Sequence, residues 1–228
     1  MPLLTFADGT RLLYIHIPKT GGTSVFNYLK PRAVEVALVR ETSDDVWGNI
    51  SVHHATLATI LHEAAADNPR FAAVRTATDA VMATVRHPCM RMVSMLFFWH
   101  LIRADHTPDQ VYEVIVQVRK HVAKDPAGWD GHFRPQCEYV CDTRGELYPG
   151  IVVLKQESLA ADLAADLAAH GYPDFACHAL PNPYQVPESR YMSYLNRASL
   201  DVIYQWYAQD FVWFHYDPDP GSDPSPSS

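Results

Sequence analysis

Paired cysteines, long apolar runs and an excess of positive charge are all missing from this sequence. Cys89, Cys137, Cys141 and Cys177 are its four cysteines, and no two form a C-x-x-C pair. They are too few to staple a chain of this length, and no second ligand pair at zinc spacing accompanies them. Buried thiols are therefore expected, although Cys137 and Cys141 would share a helix face with His132 nearby. No run approaches the roughly 20 apolar residues of a membrane helix, and the first residues lack the charged-then-apolar order of a signal peptide. A cytoplasmic protein with no membrane partner is the expectation. Lysine and arginine number 18 against 26 acidic residues, a formal charge of -8. That balance excludes the broad basic face of a general nucleic-acid binder. The G-x-x-x-x-G-K-[ST] triphosphate loop is absent, and no strand-like run ends in a convincing magnesium-holding aspartate.

What is present suits a globular protein. With 48% apolar and 19% charged residues, the chain can bury a core, and its length fits one generous domain. That domain is expected over residues 1–216. Residues 217–228, DPDPGSDPSPSS, have no means of burying surface and read as a disordered tail.

The most informative stretch is Tyr14 to Phe26, YIHIPKTGGTSVF. A short apolar run leads into a glycine-bearing loop, and a segment with helical spacing follows. Gly21 and Gly22 allow close backbone approach to a ligand, and the first turn of a helix offers unpaired N–H groups and the positive end of its dipole. Lys19 adds a mobile charge, while Thr20, Thr23 and Ser24 add hydroxyls. The pattern is a phosphate cradle in which the lysine precedes the glycines.

Along the chain, residues 1–10 read as a lead-in with a turn at Asp8-Gly9, and 11–17 as the first strand. A helix is expected over 24–30, stopped by Pro31, and a less buried strand over 33–40. Residues 50–54 are β-prone and lead to a helix over 55–66, which places His53 and His54 at a strand-to-helix junction. In an open α/β sheet ligands bind at such carboxyl ends. AVMATV at 80–85 is strongly strand-like and runs into Arg86-His87-Pro88, with an amphipathic helix after it. A helix over 108–124, a strand over 150–154, a helix over 158–170, an ordered loop over 173–192 and a last helix over 196–208 complete the order. The fold class expected is α/β, with a central, mainly parallel sheet flanked by helices.

Ile17 to Ser24, IPKTGGTS, and Val85 to Pro88, VRHP, with Arg91 and Ser94 beyond it, resemble the two phosphate motifs of a known family. It is the sulfotransferases that use 3'-phosphoadenosine 5'-phosphosulfate (PAPS), in their carbohydrate branch of heparan and chondroitin type. Weaker similarity covers His132 to Tyr139, the Glu157 and Leu159 region and the aromatic stretch from Leu200 to Tyr216. The resemblance implies a three-layer, P-loop-like fold and sulfuryl transfer to an acceptor hydroxyl on a sugar or small metabolite. It implies that Lys19, Thr20, Gly21, Gly22, Thr23 and Ser24 hold the 5' end of the donor, with Lys19 also serving the leaving group. Arg86 and Ser94 would clamp the 3'-phosphate, with Arg91 a weaker contributor. A transferred sulfuryl carries less charge than a phosphoryl, so no metal is required.

The same resemblance implies that His54 is the base that activates the acceptor, with His53 as the alternative ring; histidine's ordinary pKa of about 6.5 suits that task. His132, Arg134 and Gln136 would line a pocket. Short loops and no membrane anchor point to a compact, bacterial-like member. The competing readings are a degenerate P-loop phosphotransferase and a nucleotide-binding module without catalysis.

Overall fold

The computed structural model describes residues 2–37, 46–47, 50–51, 54–66, 68, 71, 74, 78–163 and 186–218. The expected extension of a strand to Arg40, His53, the second half of the helix over 158–170, most of the loop over 173–192, Cys177 and nearly all of the tail lie outside them. The chain divides into two units, one of residues 1–85 with 136–179 and the other of residues 86–135 with 180–228.

In the first unit, β1 (Leu3–Phe6) turns through Gly9, at φ 89°, into β2 (Arg11–Ile15). The turn is closed by Phe6 N–H donating to the Thr10 carbonyl at 2.9 Å and by Thr10 N–H donating to Asp8 Oδ1 at 2.9 Å. The sequence reading places the turn correctly but takes β1 for a lead-in. Four residues are too few for a period to show, and Leu3 and Leu4 are both buried rather than alternating. After β2 come α1 (Gly22–Leu29), β3 (Ala33–Ala37), the short antiparallel pair β4 (Val46–Trp47) and β5 (Ile50–Ser51), α2 (Leu57–Ala65), β6 (Ala80–Val85) and, later, β7 (Val152–Lys155).

Five strands make one sheet in the order β3-β1-β2-β6-β7. β2, β6 and β7 run parallel, with Ile15 opposite Ala83 and Val85 opposite Lys155, while β1 runs against both β2 and β3. β6 is apolar except for Thr84 because it is buried between parallel neighbours. β3 closes one edge, and the partial exposure of its residues follows from that place. Leu4, Phe6, Leu12, Tyr14, Met82 and Leu154 from the strands pack with Val25 and Leu29 of α1 and with Leu159 and Leu163 in one apolar cluster. That cluster fixes α1 against the sheet, and with it the loop between β2 and α1.

The second unit is helical. α3 (Pro88–Phe98) and α4 (Pro108–Val122) pack with α5 (Arg197–Trp206), which α6 (Ala208–Trp213) follows. His87 is the N-cap of α3: its Nδ1 accepts from Cys89 N–H at 3.2 Å, and its Nε2–H donates to the Asp217 carbonyl at 3.0 Å. Thr107 and Gln110 form a reciprocal capping box on α4, and Asn196 caps α5. The last helix expected over 196–208 is two helices, because Tyr207 leaves helical geometry at φ -108°. Burial pushes the Cys89 thiol up to about 12, so it is a neutral packing group at physiological pH. Cys141 donates its thiol to the Cys137 carbonyl at 3.0 Å, and only 137–139 is helical, so the two cysteines do not share a helix face. Among the described residues, no helix is long and apolar enough to cross a membrane.

Candidate active site

The loop after β2 takes its shape from two left-handed residues. Lys19 has φ 66° and Gly21 φ 86°, so the backbone changes hand on either side of Thr20, an alternation that gathers successive N–H groups around an anion. Only glycine adopts this geometry without cost, which accounts for Gly21; at Lys19 the conformation is strained. Thr20 is wholly buried, and its hydroxyl donates to the Ile17 carbonyl at 2.9 Å. That hydroxyl holds the turn, a role the sequence reading, which counted it among the ligand's donors, did not assign. α1 begins at Gly22, two residues earlier than expected, and its N-cap Gly21 supplies no side-chain acceptor. Its first turn contains no acidic residue. The N–H groups of Gly22 and Thr23 thus stand at the positive end of a helix whose own first turn carries no carboxylate. Ser24 N–H is already used, donating to the Gly21 carbonyl at 3.0 Å.

Gly22 has a different reason for being glycine. A Cβ built there would lie 2.8 Å from Nδ1 and 2.9 Å from Cε1 of His16, and 2.9 Å from the Tyr14 hydroxyl. Tyr14 is itself fixed, sharing a 2.7 Å hydrogen bond with Thr84 of the neighbouring strand, and its complete burial holds the phenol protonated, far above its usual range. A Gly22→Ala variant is therefore expected to lose about 1–3 kcal/mol of stability through overpacking. Urea titration checks it; an unchanged midpoint would mean that His16 swings aside freely.

His54 lies in the connection before α2, two residues from the helix's N-cap Thr56. Its ring is buried and stands beside that of His16, with centroids 5.5 Å apart and planes at 31°. His16 in turn meets the Tyr14 ring edge-on, at 6.4 Å and 80°. The structure therefore joins His54, through His16, to the Gly22 end of the loop. His16 is the residue that sequence reasoning missed. Its signal was the spacing of Tyr14 and His16, two apart at the end of a strand and so on one face of the chain. Across the loop, Gln156 Cγ would be 3.2 Å and Leu159 Cδ2 3.6 Å from a Cβ at Gly21, which puts the start of the segment after β7 against the loop. Gln136, in the same unit, is fully buried.

In the second unit, Arg86 directly follows the last residue of β6. Its side chain is buried, forms an ion pair with Glu188 and lies over the Tyr191 ring, with its guanidinium carbon 5.6 Å from the ring centre. Glu188 is about half exposed, at 47% of its side chain, so the partner can leave while the arginine cannot. Ser94 is buried on α3. Arg91, also buried, donates from Nη1 to the Arg134 carbonyl at 2.9 Å and from Nη2 to the His132 carbonyl at 2.8 Å. These bonds make it a clasp on the 131–135 turn. His132 donates through Nδ1–H to the Trp129 carbonyl at 2.8 Å and stacks on Phe98 at 5.0 Å and 11°, while Arg134 is half-buried.

No curated protein and no solved structure gives a significant match to this chain. A family model described as "Sulfotransferase family" matches residues 3–217. That span contains the Lys19–Ser24 loop, His16, His54, Arg86 and Ser94, and it reaches the residue whose carbonyl His87 holds. The chain belongs to the sulfotransferase family, whose chemistry is the transfer of a sulfuryl group.

Proposed function

We propose that this chain transfers a sulfuryl group from PAPS to a hydroxyl of a sugar or small metabolite by in-line displacement. The observation that carries the reading is the loop: two left-handed residues around Thr20, then a helix that opens with neither a side-chain cap nor an acidic residue in its first turn. Such a concavity suits a phosphate ester bearing a sulfuryl group. When bound, PAPS supplies an activated sulfur whose bond to the 5'-phosphate oxygen breaks as the bond to the acceptor oxygen forms. The N–H groups of Thr20 to Thr23 and the hydroxyls of Thr23 and Ser24 hold the 5' end. Lys19 neutralises charge growing on the departing phosphate oxygen. His54 takes the acceptor's proton. Arg86 and Ser94 hold the 3'-phosphate, which displaces Glu188 from the guanidinium by offering more charge and a fork-shaped match. Arg91 is left out of this set, since both ends of its fork already serve backbone carbonyls.

The sulfuryl's low charge removes the need for a metal. The same reading makes residues 1–216 one three-layer, P-loop-like catalytic domain of the carbohydrate branch, acting in the cytoplasm. Its test is thermal. At a hundredfold excess over its Kd, 3'-phosphoadenosine 5'-phosphate adds about 2.7 kcal/mol by linkage, which for a chain of this size raises Tm by about 5–10 °C. Adenosine diphosphate, which lacks the 3'-phosphate, is expected to give a much smaller shift. Equal shifts, or none with either nucleotide, sink the 3'-phosphate clamp; magnesium-dependent hydrolysis of a nucleoside triphosphate would replace this reading with a phosphotransferase.

A further inference from the structure

We propose that His16 is a positioning residue for His54, holding its imidazole in the direction that proton abstraction requires. The proposal rests on the reading of His54 as the base. His54 sits on a connection between two short elements, whereas His16 directly follows β2, whose hydrogen bonds to β1 and β6 fix the backbone on both sides. Side chains carried by such elements hold a geometry more closely than side chains on loops do. His16 is wedged from two directions. Gly22 leaves it room on one side, Tyr14 meets it edge-on, and Tyr14 is itself tied to Thr84 on β6.

On the remaining side the two imidazoles lie 5.5 Å apart at a shallow 31° angle, so rotation of the His54 ring must sweep against a surface that does not yield. The wedge also couples two parts of the site in this unit. The ring that backs His54 is the one that forbids a side chain at Gly22, where α1 begins. A shift of His16 would therefore change the separation between the base and the end of the loop. A displacement of about 1 Å in such a pair costs about 10²-fold in rate.

The test compares His16→Ala, which removes the wedge, with His16→Phe, which restores a planar ring of similar size. His16→Ala is expected to lower kcat by about 10–100-fold with the KM for PAPS changed less than about threefold. His16→Phe is expected to recover most of that loss, which a residue acting through its nitrogens would not. Should His16→Ala fail to give a cooperative melt, His16→Leu fills the volume without a flat ring and is expected to show the same loss of kcat. A second arm does not depend on the reaction. In histidine-labelled protein, the imidazole Cε1–H resonance of His54, identified by its disappearance in His54→Gln, is expected to be single in the wild type, broadened or multiple in His16→Ala, and single again in His16→Phe.

Wild-type protein without PAPS turnover would fail the functional reading alone, and the resonance arm would still decide whether His16 holds the ring. Unchanged kcat in His16→Ala, a parallel loss of donor binding, a His16→Phe variant no better than His16→Ala, or a His54 resonance indifferent to residue 16 each overturns the proposal.

Discussion

Replacing Lys19 by alanine is expected to lower kcat by about 10²–10³-fold, the usual cost of removing one preorganised group aimed at charge that develops in a transition state. The positive φ of 66° at this position makes the expectation more specific than charge alone would. A residue held in a strained conformation keeps its side chain pointing where the loop dictates, and the loop is in turn locked by the Thr20 hydroxyl on the Ile17 carbonyl. Alanine meets the same backbone strain as lysine, so the substitution removes the ammonium and leaves the turn nearly as stable. The Tm rise on adding 3'-phosphoadenosine 5'-phosphate should survive in large part, because the backbone N–H groups remain. Turnover of PAPS by the variant against a competent acceptor is the measurement; activity within tenfold of wild type would remove Lys19 from the mechanism. Loss of nucleotide binding together with turnover would make it a binding residue only.

The second large effect is expected at His54. A positioned general base is worth about 10²–10⁴-fold, and His54→Gln should lose that much in kcat while the chain melts near the wild-type temperature. Its ring is buried beside His16, so glutamine, close to imidazole in length, fills the gap better than alanine. His53→Ala provides the comparison. A near-silent His54→Gln combined with a crippled His53→Ala would transfer the role to the neighbouring ring. A near-silent pair would point to a carboxylate base and overturn the histidine mechanism.

The parts of the fold that announced themselves were those where one physical requirement dominated. AVMATV is buried between two parallel neighbours, which admit a polar side chain only at Thr84, where Tyr14 pairs with it, and the expected strand at 80–85 coincides with β6. The glycine pair was legible for the same reason, although its two members serve different needs, a left-handed turn at Gly21 and the bulk of His16 and Tyr14 at Gly22. What stayed hidden depended on contacts distant in sequence. LLTF is a strand because β2 and β3 flank it, a fact four residues cannot carry. Arg91 could be placed near the second motif by spacing, but its tie to the carbonyls at 132 and 134 spans more than forty positions. His16 reads as one more residue of the strand expected over 11–17, and only the contact of its ring with that of His54 marks it out.

The His87 cap has a bearing on how this chain can vary. The ring whose Nδ1 caps the start of α3 donates its Nε2–H to the carbonyl of residue 217, and the rings of Phe211 and Tyr216 lie against the imidazole at 5.6 and 5.3 Å. A backbone acceptor is indifferent to which amino acid provides it. This bond is thus sensitive to length more than to sequence: a substitution at 217 leaves the carbonyl in place, whereas a deletion between 211 and 217 pulls it away from the imidazole. Natural variants should accordingly keep a fixed count of residues from Phe211 to position 217.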